Sequence, residues 1–259
     1  MASRARVLAI GDTDVGKKRS VNEDSFMVID DHNLYVVADG MGGHASGEVA
    51  SRMAIETLRD FFAATANDPE ATWPYKMVKS RGYEENRLIT SIKLANLRIY
   101  EAAQRDPRLR GMGTTLASIL VVEEGVLLAH VGDSRVYRFR NNQLEQLTED
   151  HSLLNDYIKM KRLTPEEIAS FPHKNVIVRA LGMKDTVKVD TLLDKPQPGD
   201  IYVICSDGLA GPASDEEILE ILMTYPDLKT ASQKLIQKAN DNGGPDNITV
   251  VLAKVMGVG

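Results

Sequence analysis

The alternation of apolar and polar positions changes period several times along this chain, and each change marks an element. Short apolar runs over residues 7–10, 25–29 and 34–38 predict three strands, the last ending on Asp39. Ser46 is placed to cap a helix over 47–62, in which Val49, Met53, Leu58 and Phe61 fall broadly on one side. Residues 65–82, with Pro69, Trp73 and Pro74, make an irregular connection. A second helix over 83–104 repeats Leu88, Ile92, Ala95, Ile99 and Ala102 at helical spacing. After Gly111-Met112-Gly113 the period shortens. Residues 114–122, 126–131 and 135–140 predict three strands in quick succession, turning at Gly125 and at Asn141-Asn142 before 144–147. Strands this close together pair antiparallel, because parallel pairing needs a long crossover.

Residues 149–175 have a different texture, short and charged, with a helix start at Thr164-Pro165-Glu166-Glu167. They predict a small helical insertion, or flap, beside the core. Strands resume over 176–180, 187–193 and 200–206; helices follow over 215–223, capped by Ser214, and over 228–239. A last strand runs over 247–255. Helices flank clusters of strands instead of alternating with them one for one. That favours antiparallel sheets covered by helices, an α+β fold, over a doubly wound parallel sheet.

Composition narrows the function only modestly. The 259 residues fit one large domain or two small ones, and 43% hydrophobic with 26% charged residues is an ordinary globular balance. A formal net charge of -6 leaves no basic footprint for nucleic acid or an anionic membrane. Neither a signal peptide's apolar stretch nor a run long enough to span a bilayer is present, so a soluble cytoplasmic protein is expected. The single Cys205, inside an apolar run, is expected to be a buried structural thiol and not a nucleophile.

The candidate chemistry lies in four aspartates, each at or just beyond an apolar run: Asp39, Asp133, Asp207 and Asp246. A carboxylate at the mouth of a buried strand is costly to desolvate without a counter-charge. Four in the same setting point to a shared cation, and oxygen ligands favour Mg²⁺ or Mn²⁺ over zinc or copper. The segment Arg19-Ser20-Val21-Asn22-Glu23-Asp24 adds a guanidinium, whose fork of donors matches a phosphate, beside two carboxylates. Gly40-Met41-Gly42-Gly43 and Gly243-Gly244-Pro245 supply turns that let backbone approach a ligand closely.

Five ordered blocks over nearly the whole chain resemble the metal-dependent protein phosphatases of type 2C, most of all the compact bacterial members. They are Arg19 with Asn22-Glu23-Asp24, Asp39-Gly40-Met41-Gly42-Gly43, Gly113-Thr114-Thr115 with Gly132-Asp133-Ser134-Arg135, Ser206-Asp207-Gly208, and Gly244-Pro245-Asp246-Asn247. The resemblance implies two antiparallel β-sheets face to face with helices on both outer sides, in a single domain spanning 1–259. It also implies a binuclear centre of Mn²⁺ or Mg²⁺ with a weaker third ion, and hydrolysis of phosphoserine and phosphothreonine by a water or hydroxide between the two metals. On that pattern Asp39 bridges the ions, the Gly40 carbonyl binds one, and Asp207 and Asp246 hold the other. Glu23 and Asp24 contact metal-bound water, Asp133 helps hold the third ion, Arg19 clamps the phosphate, and 149–175 is the flap.

One position departs from the family. Many eukaryotic members have a histidine after the Asp-Gly pair, proposed as general acid; here it is Met41, and either His44 or a metal-bound water takes that role. His151 and His173, bracketing the flap, are expected to be surface or hinge residues, and His130 a core neighbour. The partners implied are phosphorylated proteins and a cognate Ser/Thr kinase, for an enzyme expected to be a monomer. A silent phosphoprotein-binding relative is disfavoured because every expected carboxylate is present. A two-metal hydrolase of nucleotides or nucleic acid is disfavoured by the motif order and, for nucleic acid, by the lack of a basic stripe.

Overall fold

A computed structural model of the chain describes residues 4–42, 46–66, 73–161, 163–169, 171 and 176–257. In chain order the elements are β1 (Arg6–Asp14), β2 (Asp24–Ile29), β3 (Leu34–Met41), α1 (Gly47–Thr65), α2 (Tyr83–Arg105), β4 (Gly113–Thr114), β5 (Leu116–Val122), β6 (Gly125–Val131), β7 (Arg135–Arg140) and β8 (Gln143–Gln146). There follow α3 (Leu153–Lys161), α4 (Pro165–Ala169), β9 (Asp190–Asp194), β10 (Ile201–Cys205), α5 (Asp207–Ala210), α6 (Asp215–Thr224), α7 (Leu228–Asp241) and β11 (Ile248–Gly257).

The strands form two sheets in which every pairing is antiparallel. One has the order β1-β11-β10-β7-β8; the other runs β2-β3-β5-β6-β9, with β4 pairing β3. Their inner faces meet in a shared core of Tyr35, Val37, Ile119, Leu128, Val136, Tyr202, Ile204 and Val251. Alternate residues of the same strands face outward. Leu34, Val36, Leu116 and Leu127 pack against Leu58, Phe62, Leu88 and Ile92 of α1 and α2. On the other side Val203, Cys205, Val250 and Leu252 pack against Ile218 and Leu222 of α6 and Leu235 of α7. Central strands buried on both faces have no polar face to show, which is why they appear in the sequence as unbroken apolar runs. Each fully buried Val or Leu contributes about 1.5–3 kcal/mol.

The α+β sandwich expected from the sequence is therefore the fold. Several local expectations needed correction. Residues 176–180 form no strand: Ile177 makes one isolated bridge to Ser152, and the edge of β6 is already occupied by β9. The strand expected over 114–122 is broken at Thr115, whose amide donates to Asp39 O at 2.8 Å. The strand placed over 187–193 starts later, at Asp190. Ser46 makes no side-chain capping bond at α1; the Glu23 carboxylate accepts the Gly47 amide at 3.2 Å instead. Helices α3 and α4 lie within the helical insertion expected over 149–175, whereas α5 was not foreseen. By contrast, the predicted Ser214 cap and the predicted helix start at Thr164 both form, each as a capping box. Ser214 and Glu217 bond reciprocally at α6, as do Thr164 and Glu167 at α4. Asn141 and Asn142 take left-handed conformations with φ of 51° and 57°, as a tight two-residue hairpin turn requires.

Candidate active site

The predicted site residues meet at one end of the sandwich, where strands from both sheets stop. Asp24 opens β2 and lies directly opposite Asp39 near the end of β3. Asp207 opens α5 immediately beyond β10. Asp246 sits in the turn before β11, and Asp133 in the turn between β6 and β7. Backbone packing holds these turns together. At Gly40 a Cβ would sit 2.1 Å from Gly47 O and 2.4 Å from Glu23 O. At Gly208 it would sit 1.8 Å from Asn247 O, so only glycine lets the Asp207 and Asp246 turns touch. Asn247 then ties the Asp246 turn to the first loop: its side chain donates to Val15 O and Val21 O, each at 2.9 Å, and accepts from the Glu23 amide at 2.8 Å.

The electrostatics show that these carboxylates share one space. Asp39 is pushed well above the ordinary carboxylate range, first by burial and then by Asp24, Asp207, Asp133 and Asp246. Asp24 is raised to about 7, mainly by burial, although the Ser206 hydroxyl donates to its Oδ2 at 2.8 Å. Asp133 is likewise raised to about 7 by burial, with Asp207 and Asp150 adding to the effect. Asp207 is raised by burial and by Asp246. Glu23 is raised by burial, partly offset by its bond to the Gly47 amide. Crowded like charges of this kind require either protons or cations.

The donor set fits a hard divalent cation. Asp24 Oδ1 and Asp133 Oδ1 are buried oxygens without a hydrogen-bond partner, a costly state unless another ligand satisfies them. Among the described residues no three His, Cys, Asp or Glu side chains close into a complete cage. Ions such as Mg²⁺ do not need one, since they keep several waters and take one or two carboxylates each. Asp133, Asp207 and Asp246 also line a cleft of about 540 Å³, together with Arg135, Asp150 and Ser152. At the rim, Arg19 Nη2 donates to Asp246 Oδ2 at 2.7 Å.

Comparison with known proteins gives the same answer. A family model described as protein phosphatase 2C matches residues 11–253. The chain belongs to the protein phosphatase 2C family. A serine/threonine phosphatase, stp, of Listeria monocytogenes is 39% identical over 250 residues, covering 93% of each chain. The crystal structure of the Stp1 serine/threonine phosphatase of Staphylococcus aureus superposes with a TM-score of 0.86 at 34% identity, covering 99% of this chain and 98% of that one. The catalytic domain of the phosphatase PstP, solved in complex with two manganese ions, superposes with a TM-score of 0.77 at 35% identity, covering 97% and 99%.

Of the expected site residues, Asp39, Gly40, Asp24, Glu23, Asp133, Asp207, Asp246 and Arg19 come together. His44 and His173 lie outside the described residues. The expectation for His151 needs correcting: it is 6% exposed and hydrogen-bonded on both ring nitrogens, so it is not a surface residue. His130 is buried as expected, and so is Cys205, whose thiol is pushed up to about 12 by burial. Two contributors were missed. Thr115 Oγ1 accepts from the Asp39 amide at 3.1 Å, and Arg135 grips Asp150 through Nε and Nη2 at 2.9 and 2.7 Å. Both belong to a block that the sequence singled out without giving them a role, and only the contacts reveal what they do. Among the described residues no helix is long and apolar enough to cross a membrane.

Proposed function

We propose that this cleft hydrolyses phosphoserine and phosphothreonine esters in proteins, with Asp39, the Gly40 carbonyl, Asp207 and Asp246 holding two Mn²⁺ or Mg²⁺ ions. The observation that carries the reading is the convergence of Asp24, Asp39, Asp133, Asp207 and Asp246, in which burial and neighbouring carboxylates raise Asp24, Asp39, Asp133 and Asp207 while Asp24 Oδ1 and Asp133 Oδ1 stay unpartnered. Divalent ions held there supply positive charge against the phosphoryl oxygens and acidify water at neutral pH.

The remaining residues have separable roles in this reading. Arg19 offers its guanidinium to the substrate phosphate from the rim, exchanging its bond to Asp246 for bonds to phosphoryl oxygens. Asp133 holds a weaker third ion, and Glu23 and Asp24 orient groups at the edge of the centre. Met41 has no proton to give, so His44 is the candidate donor to the leaving alkoxide. Cys205, buried at the end of β10, takes no part. We place the whole chain in one phosphatase domain, monomeric and cytoplasmic, acting against a cognate Ser/Thr kinase, with residues 149–175 as a flap beside the cleft.

The direct test is turnover of a phosphothreonine peptide and of para-nitrophenyl phosphate with Mn²⁺, with and without exhaustive chelation. Activity should vanish on chelation and return with Mn²⁺. Turnover that survives chelation rules the reading out.

A further inference from the structure

We propose that His151 is a positioning residue, whose imidazole and backbone together fix the loop that presents Asp133 and join it to the base of the flap. The proposal rests on Asp133 belonging to the metal centre. His151 and Gly132 are bonded twice: the His151 amide donates to Gly132 O at 2.9 Å, and the Gly132 amide donates to His151 Nδ1 at 3.0 Å. A ring nitrogen that accepts from an amide carries no proton, so the hydrogen of the neutral imidazole is on Nε2. Nε2 lies 3.0 Å from Asp190 Oδ2 and donates to it. Arg179 Nη1 sits 3.0 Å from the same ring nitrogen and 3.1 Å from the same carboxylate oxygen. With Nε2 protonated, that guanidinium bonds the carboxylate and, at 3.3 Å, the Lys188 carbonyl, not the ring. Lys188 closes on the other oxygen of Asp190 at 3.2 Å. Below the ring, His130 stacks at 4.6 Å between centroids and is anchored through Nε2 to Glu149 O at 2.9 Å.

The arrangement reaches the chemistry through backbone. Gly132 has φ of +109° and no room for a side chain, since a Cβ would stand 2.7 Å from Thr115 Cβ. Thr115 in turn holds the amide of Asp39. A shift of Gly132 would therefore be felt at Asp133, the next residue, and at Asp39 across the contact. On the far side, His151 O accepts from the Val178 amide at 2.9 Å, and helix α3 starts two residues after His151. One buried ring thus links the flap's entry and exit to the metal loop. Partners that orient metal ligands in this indirect way change metal affinity by roughly 10–100-fold when removed.

Two substitutions separate positioning from packing. His151→Asn leaves an acceptor where Nδ1 stood; His151→Gln moves its amide toward Asp190 and leaves the Gly132 amide without its acceptor. Mn²⁺ binding to the metal-free protein by titration calorimetry should weaken about 10–100-fold in His151→Gln. In His151→Asn it should stay within a few-fold of the unaltered protein. Phosphopeptide kinetics should show the loss in kcat, with little change in KM. Wild-type Mn²⁺ binding in His151→Gln, or equal losses in both variants, overturns the proposal. Asp133→Asn is the control. If it weakens Mn²⁺ binding and His151→Gln does not, only the positioning role fails; if Asp133→Asn binds normally, the assignment of Asp133 fails and takes this role with it. In the unaltered protein, nitrogen NMR should find His151 in the Nε2–H tautomer, and the Nδ1–H tautomer would overturn the proposal without any variant.

Discussion

Arg19 and Asp246 are 227 positions apart in sequence and joined by a 2.7 Å hydrogen bond at the rim of the aspartate cleft. In the proposed reading the pair sets a cation that would meet phosphate against a carboxylate that would hold metal. Both groups are partly exposed, so their bond contributes only ~0–1 kcal/mol to stability. Arg19→Ala should leave the melting temperature nearly unchanged while lowering kcat/KM for a phosphopeptide about 10²–10³-fold, the usual consequence of losing one donor to a developing oxyanion. Arg19→Lys should recover only part of this, since an ammonium lacks the planar fork. Steady-state kinetics beside a thermal melt checks both halves.

Asp39 is held among four other carboxylates, each of which raises its proton affinity. Asp39→Asn should abolish measurable turnover and yet raise the melting temperature of the chelated protein, because it removes like-charge repulsion without changing side-chain volume. Asp207→Ala and Asp246→Ala should also cut turnover severely in folded protein. Equal activity in either would remove that residue from the centre.

The pH dependence of metal-free stability follows from Asp24 and Asp133, both raised to about 7. Unfolded aspartates titrate near 3.9. Between that value and about 7 the folded state holds protons that the unfolded state has released, so stability falls as pH rises through this window. The contribution is fully present below the unfolded value and gone above the folded one. Mn²⁺ removes the penalty, and it should therefore raise the melting temperature much more at pH 8 than at pH 5. Calorimetric scans with Mn²⁺ and with chelator at the two pH values measure this difference.

The leaving group discriminates the role of His44. A serine alkoxide needs a proton as it departs, whereas nitrophenolate leaves without one. His44→Ala should slow phosphoserine peptide turnover by about 10²-fold or more and leave para-nitrophenyl phosphate nearly untouched. Unchanged peptide rates across the pH range would eliminate His44.

The sequence made the sandwich legible because its central strands are apolar on both faces, and made the candidate metal site legible because Asp39 lies near the end of such a strand, Asp207 just after one and Asp246 just before one. What it concealed depended on contacts distant in the chain. Residues 176–180 have the composition of a strand, but β9 already occupies the edge of β6 and they make only an isolated bridge from Ile177 to Ser152. Ser46 has the right side chain to cap α1, yet Glu23 accepts the amide, and nothing within the helix signals a carboxylate 24 residues away. His151 sits in a charged stretch and looks exposed by its neighbours. Its burial comes from His130 and Asp190, on strands that composition alone cannot set beside it.

The position of β11 has a consequence for synthesis. The final strand lies between β1 and β10, and the turn that introduces it carries Asp246. A nascent chain emerging from the ribosome can complete the helix-backed sheet of β2, β3, β5, β6 and β9 early. The other sheet keeps an open slot between β1 and β10 until β11 arrives. A polypeptide cut short before β11 therefore lacks both the strand that joins β1 to β10 and the turn that carries Asp246 into the cleft.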